Sequence, residues 1–267
     1  MTDNWKSMLV FGGYAAKTVV YCLLGVLILK MAIGVYGSDS PSQKNVFLSI
    51  IEQPFGRIML GCVIVGMACY VVWRFVQASM NIDNLDMSSA KDVVKRVFYF
   101  VSGIIYAFGT YLAIKVFHGS SGSSSGGQSN SEEMSSTLMQ QQWGIYLVAA
   151  VGIIIVIFSF IQFKHAFKAD FMDKFDVHRM SAKIKKISQV VGRMGFFARG
   201  IVYILVGGFF IQAAYKANPE EAGGLKEALD TIIQQSYGQY ALMVVGAGIF
   251  LFGIFCAIES RYHKTSG

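Results

Sequence analysis

Gly195-Phe196-Phe197-Ala198-Arg199-Gly200-Ile201-Val202-Tyr203 opens a long apolar segment, and an earlier copy, Gly13-Tyr14-Ala15-Ala16-Lys17-Thr18-Val19-Val20-Tyr21, opens another. Each copy carries a cation followed one helical turn later by a tyrosine. A charge inside an apolar run must be paired, snorkel to an interface or serve a function. The alignment that brings Tyr21 onto Tyr203 also brings Gly56 onto Gly238 and Gly66 onto Gly248. One shared offset across a helix, a linker and a second helix marks an internal repeat.

The chain around these copies belongs in a membrane. Of its 267 residues 54% are hydrophobic and 15% charged, and the mean hydropathy is +0.49, whereas soluble domains carry about 25% charged residues. The apolar residues fall into six runs, 8 to 36, 55 to 79, 97 to 117, 143 to 163, 195 to 215 and 237 to 258. Each is near or above the roughly 20 residues a helix needs to cross the hydrocarbon. The first run is too long for a signal peptide, holds Lys17 and Lys30, and has no clear small-residue cleavage site after it.

The formal charge of +7 is distributed by loop. Segments on the N-terminal side of the membrane hold Lys6, Lys91, Lys95, Arg96, Lys164, Lys168, Lys174, Arg179, Lys183, Lys185, Lys186, Arg193, Arg261 and Lys264. Opposite segments hold few cations, alongside Asp39, Glu52, Glu132, Glu133, Glu220, Glu221, Glu227 and Asp230. The positive-inside rule then places both termini in the cytoplasm. The basic balance is a topology signal that also favours anionic lipids at the cytoplasmic face, and nucleic acid is not needed to explain it. Cys22, Cys62, Cys69 and Cys256 all lie in apolar runs without a CxxC pair, so neither zinc nor a disulfide framework is signalled.

The repeat divides the chain into unit 1 (1–83), unit 2 (84–168), a cytoplasmic linker (169–192) and unit 3 (193–267). In unit 1 a breaker cluster, Gly37 to Ser42, precedes an amphipathic stretch, Val46 to Gln53, on the outer side. Unit 3 repeats this with Asn218 to Gly224 and Leu225 to Ile233. Unit 2 is more diverged: Tyr106 takes the place of Tyr21, Ser102 that of Lys17, and its outer connection contains the flexible Gly119-to-Gly127 linker. The linker at 168 to 193 mixes Asp170, Asp173 and Asp176 with many cations and reads as solvated or interfacial.

Aromatic-Ala-Arg-Gly-x-Val-Tyr opens a first helix and Gln53-Pro54-Phe55-Gly56-Arg57 opens a second, in three tandem two-helix units. This plan resembles the bacterial domain-of-unknown-function family 1206 over essentially the whole chain. The resemblance implies a multi-pass bacterial membrane protein, placed in the cytoplasmic (inner) membrane, and no particular mechanism. Unit 2 departs from the pattern in lacking the cation and the proline.

The expected fold is all-α: six transmembrane helices in three tandem repeats, related by a pseudo-threefold axis along the membrane normal, with short amphipathic helices outside. Lys17, Tyr21 and Gly25 share a helix face, as do Arg199, Tyr203 and Gly207. Gly66, Tyr70, Arg74 and Gln77 form the matching stripe of the second helix, with copies Ile154, Phe158, Gln162 and His165, and Gly248, Phe252, Cys256 and Glu259. These stripes predict a polar layer of Lys17, Arg74, Gln77, Ser102, Gln162, His165, Arg199 and Glu259 near the cytoplasmic mouth, capped by Tyr21, Tyr106 and Tyr203. Repetition pairs Lys17 with Gln77, Ser102 with His165 and Arg199 with Glu259, the last as an ion pair. Snorkelling of Lys17 and Arg199, or static helix-to-helix bonding, remains the alternative. Lys30 and Lys115 read as snorkelling residues.

No HExxH, Gly-x-Ser-x-Gly, P-loop or paired intramembrane carboxylates are present, so no catalytic residue, cofactor or metal site is expected. The leading expectation is a pathway or carrier for a small solute or ion. Its three-unit plan resembles that of mitochondrial solute carriers, whose acidic proline signature is missing here. The alternative is a non-catalytic scaffold holding a membrane partner, a lipid or a second copy of the chain.

Overall fold

The computed structural model describes residues 4–34, 41–80, 90–119 and 144–263. Asp39, most of the Gly/Ser-rich linker, Glu132, Glu133, Gln141 to Trp143 and Lys264 lie outside the described residues. Eight α-helices are described: α1 (Asn4–Ala32), α2 (Gln43–Ile51), α3 (Gly56–Ser79), α4 (Ala90–Phe117), α5 (Gly144–Lys168), α6 (Ala182–Lys216), α7 (Leu225–Ile233) and α8 (Gly238–Tyr262). The six long helices are each long and apolar enough to cross a membrane. No strand is formed among the described residues beyond one isolated bridge, Phe175 to His263.

Glycine decides how the two helices of a unit cross. A side chain at Gly66 would sit 2.6 Å from the Gly12 carbonyl and 2.7 Å from the Ala16 Cβ, and one at Gly248 would sit 2.4 Å from the Ala198 Cβ. A side chain at Gly13 would sit 2.7 Å from the Tyr70 Cβ, and one at Gly195 2.7 Å from the Phe252 Cβ. These are equivalent positions of units 1 and 3, so α1 crosses α3 as α6 crosses α8. In lipid, close backbone packing of this kind supplies the attraction between helices that the hydrophobic effect supplies in water.

Unit 2 has Phe98 where the others have Gly13 and Gly195, and Ile154 where they have Gly66 and Gly248. Phe98 meets Phe158 edge to face at 5.0 Å, two rings where the other units put glycine against a ring. The pair wedges α4 from α5, which are not among the closely packed helix pairs.

Close packing between units completes the ring. α1 packs on α8, α6 on α5 and α4 on α3, so each unit's first helix lies against another unit's second helix. Gly25 and Gly207, equivalent on α1 and α6, approach Phe250 of α8 and Val156 of α5. The result is a pseudo-threefold ring opened between α4 and α5. The short helices α2 and α7 repeat one another too: in each, the glycine that starts the next helix (Gly56, Gly238) sits where a Cβ would meet a carbonyl oxygen at 2.3 Å (Ile50) or 2.2 Å (Ile232).

Residues 168 to 193 differ from their expected solvated character. Ala169 adopts φ 52°, turning the chain back at the end of α5, and two short 3-10 segments, Asp170–Lys174 and Val177–Arg179, cross the end of the bundle. Phe171, Met172 and Phe175 are buried against Val10, Tyr14, Tyr70, Trp73 and Phe255. Asp176 N donates to the Tyr262 carbonyl at 2.8 Å, and from Ala182 onward the chain is already α6. Apolar residues at 171, 172 and 175, close together within a charged stretch, are the reason: they turn inward while Asp173 stays outside. The stretch is a strap across the end where α1 begins and α8 finishes.

Candidate functional site

The strap partly covers a cavity of about 70 Å³ within the ring. Lys17, Arg74, Ser102, Tyr106, Gln162, His165, Arg199 and Glu259 line it, so eight of the eleven residues of the sequence-derived layer meet there, drawn from all three units. Tyr14, Tyr70 and Lys174 join them. Gln77, Tyr21 and Tyr203 stand one contact behind the wall.

Tyrosine organises the cations. Lys17 Nζ donates to the Tyr70 hydroxyl at 3.1 Å and lies 4.3 to 5.0 Å from the ring centres of Tyr14, Tyr70 and Tyr106. Arg74 Nε donates to the same Tyr70 hydroxyl at 2.7 Å, and its Nη1 donates to Gln77 Oε1 at 2.9 Å. Arg199 Nη2 donates to the Tyr203 hydroxyl at 2.6 Å, with its guanidinium over Phe252, Tyr203 and Tyr21. Such ring faces stabilise a desolvated cation by about 2 kcal/mol or more. The Tyr21 and Tyr106 hydroxyls are 3.2 Å apart.

The three expected pairings are not the ones made. Arg199 faces tyrosines, and the Glu259 carboxylate lies 3.5 Å from His263 Nδ1. The equivalent residue of unit 1 shows why: Gln77 turns to Arg74 on its own helix, not to Lys17. In unit 3 the residue equivalent to Arg74 is Cys256, so Glu259 finds no cation one turn back and turns instead toward His263, in the field of Lys174 from the strap. Ser102 and His165 share the cavity wall, but His165 Nδ1 is hydrogen-bonded to Asp170 at the start of the strap. Lys30 and Lys115 are exposed, and Lys115 lies over Tyr111.

Asp170 also takes Lys164 at 3.3 Å. Burial opposes ionisation of Asp170, but the hydrogen bond and charge of His165, with Lys164, outweigh it and hold the carboxyl below its usual range. Burial, then the charge of Arg74, pushes the Lys174 ammonium below the ordinary lysine range.

Sequence reasoning left out four contributors. Tyr70 stood in the stripe yet was not counted as a site residue, although its spacing to Arg74 matches that of Tyr203 to Arg199. Tyr14 lies one turn before Lys17 on the same face. Lys174 and His263 carried no signal, because only the folding of the strap and its bridge to the C-terminal end bring them in.

Unpaired charge is the main electrostatic feature. Lys17, Arg74, Lys174 and Arg199 face one carboxylate, Glu259, and among the described residues none of the four is in a salt bridge. Arg199 Nε and Gln162 Oε1 are buried without a hydrogen-bond partner. Among the described residues no group of three His, Cys, Asp or Glu side chains is placed to hold a metal.

No solved structure matches the chain. The chain is 28% identical over 265 residues to the uncharacterized protein YxxB of Bacillus subtilis (strain 168), a match covering 99% of this chain and 94% of the relative. The sequence profile of one family matches three times, over residues 12–80, 97–169 and 194–263, which are the three structural repeats. The protein belongs to the Domain of Unknown Function (DUF1206) family.

Proposed function

We propose that this integral membrane protein is a carrier or pathway for a small solute or ion, with the central cavity as its ligand site. The observation that carries the reading is the convergence of polar side chains from three separate repeats on one cavity in an otherwise apolar ring. Static helix bonding requires only pairs, whereas here Arg199 Nε and Gln162 Oε1, on two residues of the cavity wall, are buried without hydrogen-bond partners. The loop charges support a bacterial cytoplasmic membrane with both termini and the strap in the cytoplasm. Lys183, Lys185 and Lys186, exposed at the start of α6, favour anionic headgroups there.

Proteoliposome flux tests the reading. Purified protein is expected to release an entrapped solute from a panel of small anions, cations and neutral metabolites, and Arg199→Gln is expected to slow it at least tenfold. Absence of flux for the whole panel, with a stoichiometric membrane partner retained through purification, establishes the scaffold role instead.

A further inference from the structure

We propose that the ligand of the central cavity is an oxyanion, a carboxylate or phosphate group held among Lys17, Arg74, Lys174 and Arg199. The inference rests on the cavity being the ligand site of a membrane carrier, and it assigns the class of ligand. Four cations converge on a space of about 70 Å³ with one carboxylate, itself turned toward His263. Buried charges of one sign persist where something of the opposite sign joins them. Tyrosine rings and hydroxyls stabilise Lys17, Arg74 and Arg199 individually, but phenols are neutral and leave the net positive charge in place.

The donor chemistry is that of an oxyanion site rather than a halide site. Two of the four cations are guanidinium groups, whose forked N–H donors match two oxygens at once. Arg199 commits Nη2 to Tyr203 and keeps Nε without a partner. Gln162, only 4% exposed and part of the same wall, has its amide oxygen buried without a partner, a position that an amide flip would turn into a donor. The volume admits several waters or one phosphate-sized group.

Two routes lead in. A soluble anion enters past the strap, which supplies Lys174. A lipid headgroup enters sideways where the Phe98 and Phe158 wedge separates α4 from α5, two helices whose exposed Ile104, Phe108, Ile153 and Ile157 offer apolar surface to acyl chains.

Full-length protein in nanodiscs of phosphatidylcholine is titrated with inorganic phosphate, acetate and tetramethylammonium by calorimetry, and native mass spectrometry is run on protein purified from its host membrane. Saturable phosphate or acetate binding, weakened at least tenfold in Lys17→Met and Arg199→Gln but not in the surface control Lys226→Gln on α7, supports a soluble oxyanion. A retained anionic phospholipid, lost in the same two variants, supports the headgroup. Arg199→Lys, which keeps the charge, should recover part of the binding. Tetramethylammonium bound in preference to both anions, or no bound anion by either method, overturns the proposal. The wild-type comparison stands even if a variant fails to fold. Anion binding without flux removes the carrier reading and leaves this one, while flux of cations alone does the reverse.

Discussion

The hydroxyl of Tyr21 lies 3.2 Å from the hydroxyl of Tyr106, its equivalent in the next repeat. Two copies of one sequence position, 85 residues apart in the chain, meet at the pseudo-threefold axis, and Arg199 of the third copy lies over the Tyr21 ring. The bond is a test of the symmetry. A double-mutant cycle with Tyr21→Phe and Tyr106→Phe should give a coupling of about 0.5–1.5 kcal/mol in detergent unfolding, the size of one net hydrogen bond. Additive effects would mean that the two hydroxyls do not share a bond.

The glycine crossings predict an asymmetry between units. Gly66→Ile and Gly248→Ile copy what unit 2 carries at Ile154, but into crossings where the Cβ alone would lie 2.6 or 2.4 Å from a neighbour. Each should destabilise by about 1–3 kcal/mol or more by overpacking. Ile154→Gly, at an exposed position of α5, should cost only about 1 kcal/mol, a helix-propensity loss. Equal losses at all three sites would contradict the wedge.

The strap is held by aromatic packing. Phe175 is fully buried, and its truncation in Phe175→Ala should cost about 3–5 kcal/mol. Gly192 lies beneath Phe171, with a Cβ there 2.5 Å from the ring edge, so Gly192→Leu should expel Phe171 and loosen the strap over the cavity. Protease cleavage between Asp170 and Arg179 should accelerate in both variants, and unchanged cleavage would place the strap elsewhere.

Two strap residues give opposite pH signatures. Asp170 has a folded pKa held below the usual value, so its stabilisation is present above the unfolded pKa of about 3.9 and is lost as pH falls through the folded value. The thermal stability lost in Asp170→Asn at pH 7 should therefore shrink below about pH 4. Lys174 has a lowered folded pKa, so the unfolded chain binds the proton more tightly and the buried charge costs stability at pH 7. That cost fades as pH rises through the folded value toward about 10.4. Lys174→Met should melt higher than wild type at pH 7 and lose that advantage in alkali, while binding phosphate less well. A lower melting temperature at pH 7 would show the ammonium to be a structural tie.

Much of the fold was legible because a membrane makes few demands: apolar length gives the spans, and a shared offset gives the symmetry. The positions of Lys17, Ser102 and Arg199 followed from Tyr21, Tyr106 and Tyr203 by register alone. Register gives depth and face, not partner. Arg199 and Glu259 were matched by depth, but Cys256 in the place of Arg74 sent Glu259 to His263, a choice made by one neighbour. The strap was hidden because Phe171, Met172 and Phe175 are brief apolar marks inside a charged run, below any periodic signal. Lys174 therefore became a site residue only through tertiary structure.

The central claim is that the three repeats enclose a positively charged cavity reached by water from the side of the termini. Ser102→Cys, in a background with Cys22, Cys62, Cys69 and Cys256 replaced, puts one thiol on the cavity wall. Its modification by paired anionic and cationic methanethiosulfonates, applied to sealed vesicles from that side, measures access and sign together. The account predicts reaction from that side, with the anionic reagent favoured over the cationic one relative to the same pair on a free thiol. An unreactive thiol, or a preference for the cationic reagent, would contradict it.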